Sequence, residues 1–297
     1  MNANLIKILG DAEHVEQCVW HKPTHTDDEI VVKNVMTGIC SSDVAMYAGQ
    51  MSMLPIHMHG HEGLGEVIAV GSNVRNVTEG DYVATRGEPA FADVYNVRNG
   101  EFVVVPEALP KYILEPVACA VNIADTARYT DSKSVLIIGT GFLARVIYQV
   151  LNHNSPNLKN VTVVGNAYSD WWSTQHVSRH VDTNSTFDIV IDLSGDPKWF
   201  DADLLSADGQ YIMGAEKTFK HLDFAPFLWK SATIDLPSPR TSNFHQCMIK
   251  AKELVEAGIV TVDDMWTKGY NSNEASTAFS NRYNGIDKGR TYLIWQQ

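Results

Sequence analysis

Cysteine is scarce: Cys18, Cys40, Cys119 and Cys247 are the 4 in 297 residues, widely spaced and with no C-x-x-C pair. That argues against a disulfide framework and an all-cysteine zinc knuckle, and the chain is expected to work in a reducing cytoplasm. Basic residues are outnumbered, 23 Lys and Arg against 35 Asp and Glu, for a formal net charge of −12. So acidic a surface repels polyanions, and neither nucleic acid nor membrane is an expected partner. No apolar run approaches the ~20 residues of a membrane span. The opening MNANLIKILGDAEHVEQ lacks both a basic stretch and a long apolar stretch, so secretion is not expected. Repeats, low-complexity tracts and long linkers are also missing.

What is present is an ordinary globular composition, with 44% hydrophobic residues, enough for one large domain or two moderate ones. The first third is punctuated by glycine and by short β-type runs: EIVVKNVMTGIC (29–40), GEVIAVGSNV (65–74), GDYVATRG (80–87), FADVYNV (91–97) and EFVVVP (101–106). Strands so short and frequent predict a partly closed β-structure. The middle changes character. SVLIIGTG (134–141) is a continuous apolar run, as a parallel strand buried on both faces requires, and FLARVIYQVL (142–151) follows with helical periodicity. VTVVG (161–165), FDIVIDLSG (187–195), QYIMG (210–214) and ATIDL (232–236) continue the series. The spacing predicts an α/β fold with a doubly wound parallel sheet. QCMIKAKELVEAG (246–258) reads as an amphipathic helix and RTYLIW (290–295) as a last strand.

Two groups of residues carry chemistry. Strand, Gly139-x-Gly141-x-x-Ala144, then helix is the context in which a glycine turn cradles a dinucleotide pyrophosphate. At the end of the next strand an NAD site usually places a carboxylate. Here Gly165-Asn166-Ala167-Tyr168-Ser169 delays any acid to Asp170, which favours NADP over NAD, with Arg179 as the candidate cation for a 2′-phosphate. The second group is Cys40, His61 and Glu62, a thiolate, an imidazole and a carboxylate that zinc accepts, with Glu115 opening a helix over EPVACAVNIADTAR (115–128). Taken one at a time, Cys40 is equally a buried thiol, His61 a satisfied histidine and Glu115 a carboxylate favoured by a helix start.

Together, GICSSD (38–43), GHEGLGEVIAVG (60–71), GDYV (80–83), LEPVA (114–118) and VLIIGTG (135–141) occur in an order that resembles the zinc-dependent medium-chain dehydrogenase/reductase family, the alcohol, sorbitol and threonine dehydrogenases. The resemblance implies a GroES-like catalytic domain over 1–118 and 238–297, and a shortened Rossmann domain over 119–237. It implies Cys40, His61 and Glu115 as zinc ligands, with Glu62 able to approach the metal, Ser42 taking the substrate proton and Asp43 beside the ligating histidine. It places Cys119 near the nicotinamide and Arg290 near the cofactor pyrophosphate. The implied activity is hydride transfer between NADP or NAD and a small alcohol, polyol or its carbonyl, by a homodimer or homotetramer joined through the ATIDL edge. Tyr47, Trp229 and Phe244 are candidate walls of the substrate pocket.

Three departures from the family pattern shape these expectations. No four-cysteine lobe follows GDYV, so one catalytic zinc and no structural zinc is expected. The usual relay histidine is Ala45, leaving His57 and His59, on one face of a strand with His61, as stand-ins or as surface histidines. Gly165 to Phe187 is too short for the family's helix, strand and helix. Two other readings remain open: a zinc-free quinone or enone reductase of the same fold, and a nucleotide-binding protein without catalysis.

Overall fold

The computed structural model describes residues 2–131, 133–158, 160–166, 169–182, 184–215 and 223–295. The chain divides into two compact units, Met1–Val117 with His245–Gln297, and Ala118–Phe244. Along the first stretch, β1 (Asn2–Ile8) and β2 (Val15–His21) form an antiparallel pair. β3 (Glu29–Gly38) is the spine of the first unit and runs directly into α1 (Ser41–Tyr47). A 3-10 turn at Ile56–Met58 leads to β4 (Gly63–Val70), followed by β5 (Tyr82–Thr85), β6 (Val94–Arg98) and β7 (Phe102–Val105). The chain passes into the second unit within α2 (Glu115–Thr126).

The second unit contains β8 (Val135–Ile138), α3 (Phe142–Asn154), β9 (Val161–Val164), the one-turn α4 (Asp170–Ser173), β10 (Phe187–Asp192), β11 (Leu205–Met213), α5 (Ala225–Trp229) and β12 (Thr233–Asp235). Its five strands pair in the order β12-β11-β10-β8-β9, all parallel. Every residue of β8 and β9 is buried, which is why these strands read as unbroken apolar runs instead of alternating ones. Leu136, Val164, Val190, Tyr211 and Phe227 form its core. Between β9 and β10 the described residues hold only α4 and a single parallel bridge, Thr162 to Ser178.

The chain returns through α6 (Phe244–Glu256), β13 (Trp266–Asn271), α7 (Ala275–Tyr283) and β14 (Arg290–Ile294). The seven-stranded sheet of the first unit has the order β13-β14-β3-β4-β5-β7, with β6 also on β3, and only β13–β14 is parallel. The class is α/β, with one β-rich unit and one parallel-sheet unit, as the sequence predicts.

Tyr47 is no pocket wall: it is fully buried and packs on Phe279 with ring centroids 5.5 Å apart. Phe244 is likewise buried, whereas Trp229 is 84% exposed. His57, His59 and His61 do not share a strand, because residues 56–58 form the 3-10 turn.

Candidate functional site

β3 delivers Gly38, Ile39 and Cys40 to the start of α1, where the backbone N–H of Cys40 donates to the Asp43 carboxylate at 2.9 Å. This reciprocal tie across the first turn fixes the Cys40 backbone and buries Asp43. His61 and Glu62 come from the segment entering β4. The thiol of Cys40, a ring nitrogen of His61 and a carboxylate oxygen of Glu62 lie within 4.8 Å of one another. His61 Nδ1 is 4.0 Å from Asp43 Oδ1, so the ring is flanked by an acid on one side and the thiol on another.

The electrostatics of this cluster favour a cation. Burial pushes the Asp43 carboxyl up to about 6, against the pull of His61. Burial also acts against a charge on His61, yet Asp43, Cys40 and Glu115 together hold its proton well above the usual histidine range. Arg290 shows the same balance: burial opposes its charge, and Glu62, Cys40 and Glu115 raise its pKa nonetheless. A thiol, an imidazole and carboxylates converging in a pocket that already favours positive charge fit a zinc ion. Glu115, buried at the start of α2, stands outside the 4.8 Å group but contributes to the field at His61 and Arg290.

Glu62 has a second partner. Arg290, at the first position of β14, donates through Nη2 to both of its carboxylate oxygens, and Glu62 is fully buried. The family resemblance implies Arg290 near a pyrophosphate; in the structure its guanidinium engages Glu62. Ser42 is half-buried in the first turn of α1. His59 is a correction: it is not a surface histidine. Its Nδ1 accepts from the Ile8 N–H at 3.2 Å, its Nε2 donates to the Leu54 carbonyl at 3.0 Å, and burial lowers its pKa. With both nitrogens committed, it has no free atom for a proton relay, while His57 is exposed.

In the second unit, β8 is followed by Gly139, whose φ of +127° suits a residue without a side chain. Gly141 caps α3, and a Cβ built on it would meet open space. Ala144 is buried against the unit's core. An uncrowded glycine at the start of a 13-residue helix fits a pyrophosphate. Trp172, fully buried, donates from Nε1 to the Thr140 carbonyl at 3.0 Å and so ties α4 to this turn. Asn166 and Arg179 are exposed, Arg179 next to the Ser178 bridge; Ala167 and Tyr168 lie outside the described residues. Cys119 is half-buried on α2.

Residues 26–147 match the family model of the alcohol dehydrogenase GroES-like domain. The chain is 23% identical over 336 residues to L-threonine 3-dehydrogenase of Photobacterium profundum, covering 95% of this chain and 97% of that one. Through this domain and this relative, the chain is similar to the medium-chain dehydrogenase/reductase family. Solved structures show the same fold. The chain is similar to galactitol-1-phosphate dehydrogenase of Escherichia coli (TM-score 0.80, 18% identity, 99% of this chain and 100% of that one). It is also similar to acetophenone reductase of Geotrichum candidum in complex with NAD (TM-score 0.81, 16% identity, 99% and 97%).

Two further residues, Trp266 and Gly38, complete the surroundings of Glu62. The guanidinium carbon of Arg290 lies 4.9 Å from the centre of the buried Trp266 ring. Gly38 gives up its side-chain space to the same assembly, because a Cβ there would collide with the Glu62 carboxylate and come within 3.1 Å of Trp266. Gly38 is signalled in the sequence as the first residue of GICSSD; Trp266 lies in no motif.

Proposed function

We propose that this protein is a zinc-dependent oxidoreductase that transfers a hydride between a nicotinamide cofactor and a small alcohol, polyol or the corresponding carbonyl. The observation that carries the reading is the convergence of Cys40, His61 and Glu62 in a pocket whose field favours a cation. Cys40, His61 and Glu115 would hold the zinc, since Arg290 already engages both oxygens of Glu62. When bound, zinc acts as a Lewis acid that polarises the oxygen of the alcohol or carbonyl.

The chain's own residues do the rest. Asp43 fixes the Cys40 backbone and faces His61 Nδ1, which orients the ring. Ser42 takes the hydroxyl proton of the alcohol and passes it on to water or to the cofactor ribose. Neither Ala45 nor the committed ring of His59 can take part. The Gly139–Gly141–Ala144 turn holds the pyrophosphate, Cys119 lies near the nicotinamide, and Asn166 and Arg179 face the adenosine ribose. The lack of an acid directly after β9 supports NADP over NAD. Glutamate as the third ligand makes the site hard and polar, which supports small hydroxylated substrates; the names of the threonine and galactitol-1-phosphate dehydrogenases point the same way. With four cysteines in the chain we propose one zinc per chain and no structural zinc.

We place the protein in the cytoplasm from its few, widely spaced cysteines; no helix among the described residues is long and apolar enough to cross a membrane. Leu228, Trp229 and Leu236, all more than half exposed around the edge strand β12, support a homodimer or a homotetramer built from it. The test is a screen of small alcohols, polyols and sugars with both cofactors, following nicotinamide absorbance. The reading predicts turnover by zinc-loaded protein that Cys40→Ala abolishes. Turnover that survives this substitution would contradict it.

A further inference from the structure

Glu62 stands at a fork. One of its oxygens belongs to the group with Cys40 and His61, while both are engaged by Arg290. Which partner it serves depends on how firmly Arg290 is held, and the grip on Arg290 comes from β13. Trp266 and Arg290 are direct partners in the parallel β13–β14 ladder. The indole lies against one face of the guanidinium, and Tyr292 packs edge-on to the indole with centroids 6.1 Å apart. Across the sheet, Gly38 provides the gap in which the Glu62 carboxylate and the Trp266 rim meet. All of Glu62, Trp266 and Arg290 are buried, so water does not compete for the guanidinium face. Behind Arg290, Arg282 donates through Nη1 to the Gly289 carbonyl and steadies the residue that leads into β14.

We propose that Trp266 is a positioning residue for Glu62 and acts through Arg290. The aromatic face sets the plane of the guanidinium, and the guanidinium keeps the Glu62 carboxylate beside the metal ligands instead of among them. The inference rests on the metal reading given above. A leucine at 266 keeps apolar bulk but offers no π-face, so the guanidinium can tilt away and the carboxylate is released towards the metal. A phenylalanine keeps the face.

The test uses full-length protein loaded with cobalt(II), whose visible bands are strong with four ligands and weaken when a fifth joins. In Trp266→Leu the band intensity falls, and a chelator removes the metal about 10-fold more slowly, on the scale of changes to groups that brace metal ligands. Trp266→Phe stays within about twofold of the parent, since a phenyl face still attracts the cation. Arg290→Lys, which keeps the charge and loses the planar fork, reproduces the leucine result and carries the test should Trp266→Leu not fold. Parental band intensity in both Trp266→Leu and Arg290→Lys, or faster metal loss, or equal effects of Leu and Phe would overturn the proposal. A parent protein that takes up neither cobalt nor zinc would instead overturn the metal reading, and this inference with it.

Discussion

Single side chains in the first unit have separable duties, and substitutions tell them apart. His59→Ala leaves the Ile8 N–H and the Leu54 carbonyl without partners inside the fold. It should cost about 1–3 kcal/mol in urea unfolding, and the pH profile of turnover by the folded fraction should not move. A changed pH profile would restore His59 as a relay. Gly38→Ala pushes a methyl group into the Glu62 carboxylate. Overpacking of this kind costs about 1–3 kcal/mol, and a loss of only a few tenths would show that Glu62 has room to move. At this scale the sequence shows part of the site. Cys40, His61 and Glu62 are ordinary one at a time and stand out through the GICSSD and GHEGLGEVIAVG contexts taken together. The Arg290–Glu62 pair spans 228 positions and Trp266 sits in an unremarkable run, so no local pattern discloses either.

Among elements, those that pack on both faces or follow glycine turns are the legible ones. β8 and β9 read directly because burial on both faces demands unbroken apolar runs, β10 by its apolar core, and α3 by its helical periodicity after the glycine turn. β1, β2, β13 and α7 were not legible. WTKGYN mixes a charge and a glycine into a strand held by its neighbour β14, and ASTAFSNRY has few apolar residues to mark a helical face. Tertiary pairing settles such segments over local propensity. Two predictions belong at this scale. Trp172→Phe removes the bond to the Thr140 carbonyl and should weaken cofactor binding several-fold in a direct titration; unchanged affinity would separate α4 from the glycine turn.

Asp188, at the start of β10, accepts from the Ser134 N–H and hydroxyl, both at 2.8 Å, next to β8. The Ser134 N–H, more than the opposing effect of burial, holds its carboxyl below the usual range. The unfolded chain therefore takes up this proton first as pH falls. The stabilisation is full above the ordinary carboxylate value of about 4 and disappears as pH drops through the lower folded value. Asp188→Asn should flatten the loss of stability below that point, and an unaltered slope would contradict the assignment.

At the scale of the whole molecule the acidic surface, the two units and the exposed edge of β12 bear on assembly. Trp229→Glu places a charge in the apolar stretch and should shift the protein towards monomer in light scattering. A wild-type protein already monomeric at every concentration would remove that expectation. The central claim is that a metal joins the residues of the first unit into a catalytic site. It is tested most directly by elemental analysis of the parent and Cys40→Ala, purified without chelator or a metal-affinity column. The account predicts close to one zinc per chain in the parent and almost none in the variant, with the fold retained. A parent that holds no zinc, and gains none when zinc is added, would contradict it.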